Sequence, residues 1–539
     1  MLKSRRTLAL LLALVMMIPF AGITNAMADV PPLEKIEENG VNVNLTGYPI
    51  VDEPITVKAA VMYGSLRPNQ DVTKVWDYVA EKTGIRFEVE ALKDAEKKDL
   101  MFASREFPEV MFNVAITANQ LSDSAEAQDL LEMDPLIDAY APTWAAFLKD
   151  NPIVRNASLA PDGNLYTLPY IDFAPFDRNL RDQWIIMKSW LEELNLEAPK
   201  TTDEFKTVLN AIKDAAGTGT IPAEVMPYYF LFDNYVGGQF DIYSSYGVPV
   251  TSDGYLVVEG GVVKDQSTNP DIKEPLKYLA DLYAEGLIPP ESFTDDWNTY
   301  VSRISATPAI VGTYHSYANR HMGTGGAAMG PIDSGNGKQP QIRSQAYTPG
   351  PAHTAMITAS CQHPIAVTRF FEAMATDVEL MLTVSRGLQG VLWDYDEAGK
   401  AYQLFWEEAP DKMAEHAMEL GLHNSFIALK DSSFYENIWN EVAYEQEDSR
   451  PWAYQNIYEA VVMPNEWVYV SGALSADDTN MLNQYKTDLA NYRKSMYADF
   501  ITGAKDIDAE WDAFTAEMER LGLAQFVELS QKAYDAIAK

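Results

Sequence analysis

The chain has 539 residues, a formal net charge of −37, 47% apolar and 11% aromatic residues. That length exceeds a single hydrophobic core and calls for two or more lobes, and the apolar content excludes a disordered acidic tail. So negative a chain lacks the basic surface that nucleic acid or an anionic membrane requires.

The N-terminus reads as an export signal. Lys3, Arg5 and Arg6 precede an unbroken apolar run from Leu8 to Ile18, and Ala26-Met27-Ala28 offers small residues for signal peptidase. Cleavage is expected after Ala28, leaving 511 residues, beginning at Asp29, with a net charge of −40 once three cations are lost. The apolar run is too short for a span, which needs roughly 20 residues. The sole cysteine, Cys361, excludes an internal disulfide, and none stands at the junction to take a lipid. The mature protein is therefore expected outside the membrane and not lipid-anchored.

Residues 29–54, acidic and rich in Asn and Pro, read as a tether. The strand Ile55 to Met62 comes next, then a helix carrying Val72, Val75, Trp76 and Val79 that Gly84 ends. Ile85 to Glu90 alternates as a strand, Lys93 to Ser104 as a helix, and Val110 to Phe112 as a strand. Strand and helix in alternation predict an α/β fold with a parallel sheet. Helices are expected over Gln183 to Leu194, Thr202 to Asp214, Asp271 to Glu285 and Pro364 to Thr383. Ala309 to Tyr314 reads as a strand, Gly323 to Gly337 as a glycine-rich connection, and the last hundred residues as largely helical.

Motifs of catalysis and metal binding are missing. None of the six histidines (His315, His321, His353, His363, His416, His423) is paired at i, i+4, and no GxSxG, P-loop or CxxC occurs. The 78 carboxylates would supply a glycosidase pair anywhere, so they discriminate nothing.

An ordered series of segments is more specific. Thr83-Gly84-Ile85, Phe107-Pro108-Glu109-Val110, Leu130 to Ile137, Asp162-Gly163-Asn164-Leu165-Tyr166-Thr167-Leu168-Pro169, Trp190 to Leu194, Pro199 to Phe205, Tyr283 to Ile288 and Gly387 to Gly390 follow one another. Between about residues 55 and 400 this series resembles the family 1 extracellular solute-binding proteins, in particular the LipO-like substrate-binding proteins of bacterial carbohydrate ABC importers. The resemblance implies a two-lobed periplasmic-binding-protein-like fold of type II, a ligand cleft between the lobes and a helix-rich C-terminal part. Lobe one would comprise 55–172 and 308–365, and lobe two 173–307 and 366–539.

The implied function is binding an oligosaccharide, as a monomer without enzymatic activity or cofactor, and delivering it to the transmembrane subunits of an ABC permease. The alternatives are a secreted carbohydrate-active enzyme and a binding protein for a peptide or other small polar solute. Many relatives carry an Asp/Asn-rich loop suited to calcium. Here Asp214 to Thr220 keeps one carboxylate where calcium wants about six to eight oxygens, so no metal is expected there.

A sugar site needs aromatic platforms beside groups that pair with hydroxyls. Four places meet that need: Tyr63 after the first strand; Tyr170, Asp172 and Phe173 at the expected lobe crossing; Asp296, Trp297 and Tyr300; and Trp393 with Asp394. Trp297 and Trp393 are the expected stacking platforms.

Overall fold

The computed structural model describes residues 34–62, 71–174, 179–251, 255–344, 355–404, 410–422, 427–463 and 474–538. The expected signal peptide and Tyr63 lie outside the described residues. Two sheets, each with its own buried core, form two lobes.

Lobe one is built on the strands Ile55–Met62, Ile85–Leu92 and Val110–Phe112, all parallel, with Ala355–Ile357 antiparallel at one edge. Its first strand falls where expected, but the helix begins only at Val75, and Val72, expected on its apolar stripe, lies exposed ahead of it. The helix Val75–Thr83 stops at Gly84, whose φ of 79° and close approach to Val51 (2.8 Å from a built Cβ) admit no side chain. Trp76, Phe87, Phe112 and Phe370 interlock in its core, with Phe87 5.0 Å from Phe370.

Lobe two is built on Gln183–Met187, Met226–Tyr228, Val311–Ser316 and Gly326–Met329. Gln183–Met187 was expected to be helical and is a strand. All five of its residues are buried, and both edges are paired, by Val311–Ser316 and Gly326–Met329. A short apolar run reads the same as buried helix or strand until its partners are known. The helix Thr202–Asp214 keeps its signal intact: the Thr201 hydroxyl accepts from the Glu204 N–H while the Glu204 carboxylate accepts from the Thr201 N–H. The C-terminal helices Ala476–Thr502, Ile507–Arg520 and Leu523–Ile537 join this lobe through Tyr497, Phe500, Trp511 and Phe514.

The cores divide the chain differently from the boundaries expected. Residues 311–329 lie in the lobe two sheet and not in lobe one. The described parts of residues 366–439 contribute to the lobe one core and not to lobe two, with Phe370, Phe371 and Leu380 buried in it. The expected tether is also partly structured. Lys35–Glu38 and Val41–Asn44 form a hairpin through Asn39-Gly40, both at positive φ, and Val43, Ile50 and Val51 are buried in lobe one. A small separate core of Ala174, Leu180, Ile342, Ala453, Tyr454 and Tyr458 marks where the chain passes between lobes.

Candidate ligand-binding surface

Open α/β sheets bind ligands beyond the carboxyl ends of their strands. In lobe two Met226–Tyr228 and Val311–Ser316 run parallel, so Tyr229 and Tyr317 emerge at the same edge. The helix Trp297–Ile304 sits beside them, started by Asp296, whose carboxylate accepts from the Thr299 N–H at 2.8 Å. Hydrogen bonds from the Thr299 hydroxyl and then its N–H hold the Asp296 carboxyl below its ordinary range. Asp296 is therefore a helix cap first.

Trp297 is half-buried and stacked between two tyrosines. Its ring lies 6.0 Å from Tyr300 and 6.2 Å from Tyr317, each inclined by 27°. Tyr300 is fully buried and its hydroxyl donates to the His315 carbonyl at 2.7 Å, so it is the floor of the stack rather than a platform. The Arg181 guanidinium covers both Tyr317 (5.5 Å) and Tyr235 (5.4 Å), and Arg320 covers Tyr317 from 5.1 Å while donating to its hydroxyl. Tyr235 is 61% exposed. Trp297, Tyr317 and Tyr235 thus form an aromatic surface carrying two guanidinium donors.

Sequence reasoning missed Tyr317, Tyr235, Arg181 and Arg320. Tyr317 had a signal, since it directly follows a strand. The others reach the surface only through tertiary packing.

Tyr170, Asp172 and Phe173 come together at the crossing. The two-residue strand Ile171–Asp172 pairs with Leu429–Lys430, which brings in Lys430 and Tyr435. Asp172 accepts from the Tyr170 hydroxyl at 2.7 Å and from the Tyr435 hydroxyl, with the Lys430 ammonium 3.6 Å away. Burial pushes its pKa up, but Lys430, Tyr435, Tyr170 and Arg386 prevail and hold it below the carboxylate range. Phe173 is half-buried, 6.1 Å from Phe147. Arg450 ties this cluster to the aromatic surface: its Nη1 donates to the Arg181 carbonyl at 3.1 Å, and it feels the Asp172 charge.

Trp393 is not at the surface. It is fully buried in lobe one, its indole N–H donating to the Gly387 carbonyl at 2.9 Å, so it has no face to offer a ligand. Asp394 accepts from the Gln389 amide and the Tyr395 N–H. The strand it occupies packs on lobe one.

Among the described residues no group of three or more His, Cys, Asp or Glu is arranged to hold a metal, and no helix is long and apolar enough to cross a membrane. The loop 214–220 is clasped by a side chain. Glu193 accepts from the Thr220 N–H at 3.1 and 3.2 Å and from its hydroxyl at 2.5 Å, and a Cβ on Gly219 (φ 53°) would fall on the Glu193 carboxylate. Calcium and EDTA are expected to leave the melting temperature unchanged, whereas Glu193→Ala lowers it by about 1–3 °C through loss of charge-assisted hydrogen bonds. A calcium-dependent rise that disappears in Asp214→Ala would contradict this.

The two lobes, their crossing segments and a ligand-type surface at a sheet edge define a solute-binding protein. A family model for bacterial extracellular solute-binding proteins matches residues 69–379, and the chain belongs to that family. Among curated relatives, the fructooligosaccharide ABC transporter substrate-binding protein FusA of Streptococcus pneumoniae is 25% identical over 457 residues, 82% of each chain. Lipoprotein LipO of Bacillus subtilis is 27% identical over 198 residues, 36% of each. The structure of Streptococcus pneumoniae FusA in complex with kestose superposes with a TM-score of 0.76 at 22% identity, covering 89% of this chain and 99% of that one. An extracellular solute-binding protein from Bifidobacterium longum subsp. infantis superposes with a TM-score of 0.75 at 18% identity, covering 90% and 99%.

Proposed function

We propose that the protein is the substrate-binding component of a carbohydrate ABC importer, taking an oligosaccharide of the fructooligosaccharide class and delivering it to a membrane permease. The observation that carries this reading is the stack of Trp297 and Tyr317 with Arg181 and Arg320 at the carboxyl edge of the lobe two sheet. Sugar rings present CH-rich faces to aromatics and hydroxyls to guanidinium donors, which is the chemistry this surface offers. The relation to FusA, whose structure holds kestose, supports the ligand class.

Closure follows from the two-lobed architecture. A ligand drives it only by contacting the closed state better than the open one, so groups of both lobes must touch it. Tyr170, Asp172 and Phe173, at the crossing and tied to Arg181 through Arg450, are the proposed contacts beside Trp297, with Asp296 at its rim. Two residues at the carboxyl edge of lobe one, Asn113 and Ala115, have left-handed φ of 44° and 52°, backbone strain of a kind that gathers at ligand clamps. The same reading has the protein exported, with its mature chain beginning at Asp29, and acting as a monomer.

An enzyme reading is weaker. Glycoside hydrolysis needs a carboxylic acid kept protonated by a raised pKa, and the carboxyl at the crossing, Asp172, is shifted the other way by Lys430 and two phenols.

Calorimetric titration with kestose and nystose tests the reading. One high-affinity site per chain is expected, with the oligosaccharides recovered uncut. Trp297→Ala is expected to weaken binding about ten-fold, roughly 1–2 kcal/mol, at an unchanged melting temperature. Release of shorter sugars would move the protein to the enzymes. Failure of both sugars to bind would remove the ligand class.

A further inference from the structure

Lobe one carries a cavity of about 520 Å³ that the proposed import function does not use. It is lined by Tyr48, Arg369, Thr376, Asp377, Glu379 and Tyr395. Its place is the opposite end of the sheet from the cleft. The segment around Tyr48 runs past the amino ends of the strands, where Ile50 N–H donates to the Thr83 carbonyl and Ile55 N–H to Gly84. The strands Ile55–Met62 and Ile85–Leu92 then run eight residues to the carboxyl edge, roughly 25 Å away.

Arg369 is 6% exposed, and its guanidinium Nε donates to the Asn44 carbonyl at 3.3 Å. No carboxylate pairs with it within salt-bridge distance among the described residues, although it lines the cavity. Asp377 and Glu379 are already engaged by Lys82, at 2.8 and 3.7 Å, and Tyr78 donates to Glu379 at 2.6 Å. Tyr395 stands 42% exposed at the mouth, braced edge-on against Trp393.

This set of groups selects among ligands. An anion would meet Asp377 and Glu379, and a cation would meet Arg369 and Lys82. A neutral polyol avoids both conflicts, because each hydroxyl donates to a carboxylate while accepting from a guanidinium. An exposed tyrosine face beside them suits the CH face of a pyranose or furanose. We infer that this cavity is a second, low-affinity site for a neutral saccharide, independent of the cleft and of its ligand class.

Backbone amide shifts in a transverse-relaxation-optimised spectrum, followed during titration with sucrose, glucose and kestose up to 100 mM, test the inference. The amides of Gly47, Thr376 and Val378 are expected to shift and saturate with at least one of these sugars, with a dissociation constant of about 1–10 mM for so open a site. Tyr395→Ala and Glu379→Gln are each expected to weaken that titration about five- to ten-fold. Trp297→Ala, which affects only the cleft, should leave it unchanged. Shifts that remain linear to 100 mM, or that persist at full strength in both lobe one variants, overturn the inference. Because the readout is local to lobe one, loss of kestose binding in the cleft neither supports nor damages it.

Discussion

Trp393→Ala is expected to destabilise lobe one by about 3–5 kcal/mol while leaving saccharide affinity in the cleft intact. The indole is wholly buried in the lobe one core, which also holds Leu380, Leu392, Ala401 and Trp439. Its removal opens a cavity that the surrounding strands cannot collapse into, and it leaves the Gly387 carbonyl without its donor. Gly387 is also where the chain bends out of the helix Val378–Arg386, with a φ of 128° and the Glu419 carbonyl 2.4 Å from a built Cβ. Loss of the indole therefore loosens a bend as well as a core. Denaturant unfolding followed by tryptophan fluorescence measures the first effect, and calorimetry with kestose the second. A ten-fold loss of affinity at unchanged stability would instead return Trp393 to the ligand surface.

Arg343→Met is expected to destabilise lobe two by a similar amount, about 3–5 kcal/mol, because it strands two buried carboxylates. Arg343, Asp182, Asp241 and His315 are all fully buried. The guanidinium pairs with Asp182 and lies 3.7 Å from Asp241, and His315 Nδ1 lies 3.0 Å from Asp241. This network supports the proposed ligand surface: Asp182 follows Arg181 and accepts from the Gly237 N–H at 2.8 Å, and the His315 carbonyl holds Tyr300 under Trp297. Weaker binding should accompany the loss of stability.

The pH dependence has a definite sign. Burial pushes the Asp241 pKa up, but Arg343 and His315 outweigh it and hold it below its ordinary value near 4. A carboxyl depressed in the folded state stabilises fully above its unfolded pKa, and that contribution is lost as pH falls through the folded one. The wild type should accordingly lose this contribution below about pH 4. In Arg343→Met, Asp241 lacks its main partner, so the deficit should be largest near neutrality and narrow on acidification. Urea midpoints of both proteins between pH 3.5 and 7 measure it. A deficit that stays constant with pH would show that the network acts by packing alone.

The sequence by itself determined local elements in both lobes. Ile55–Met62 alternates, Gly84 ends its helix, and the capping box at Thr201 starts another, because these signals are local and no distant partner can change them. The Asn39-Gly40 hairpin was equally local and went unread. The ordered segments also identified the family, since each turn and cap marks one place on the scaffold.

Tertiary structure decided the rest. Gln183–Met187 became a strand because it pairs on both sides, and the helix Pro364–Thr376 joined lobe one because Phe370 and Phe371 meet Phe87 and Phe112. Trp297 and Trp393 looked alike as tryptophans beside polar neighbours. Only packing separates them: Trp297 rests on Tyr300 with Tyr317 and the arginines around it, whereas the core closes over Trp393 on every side. Burial of a side chain depends on what the rest of the chain brings to it, and that information is absent from any short window of sequence.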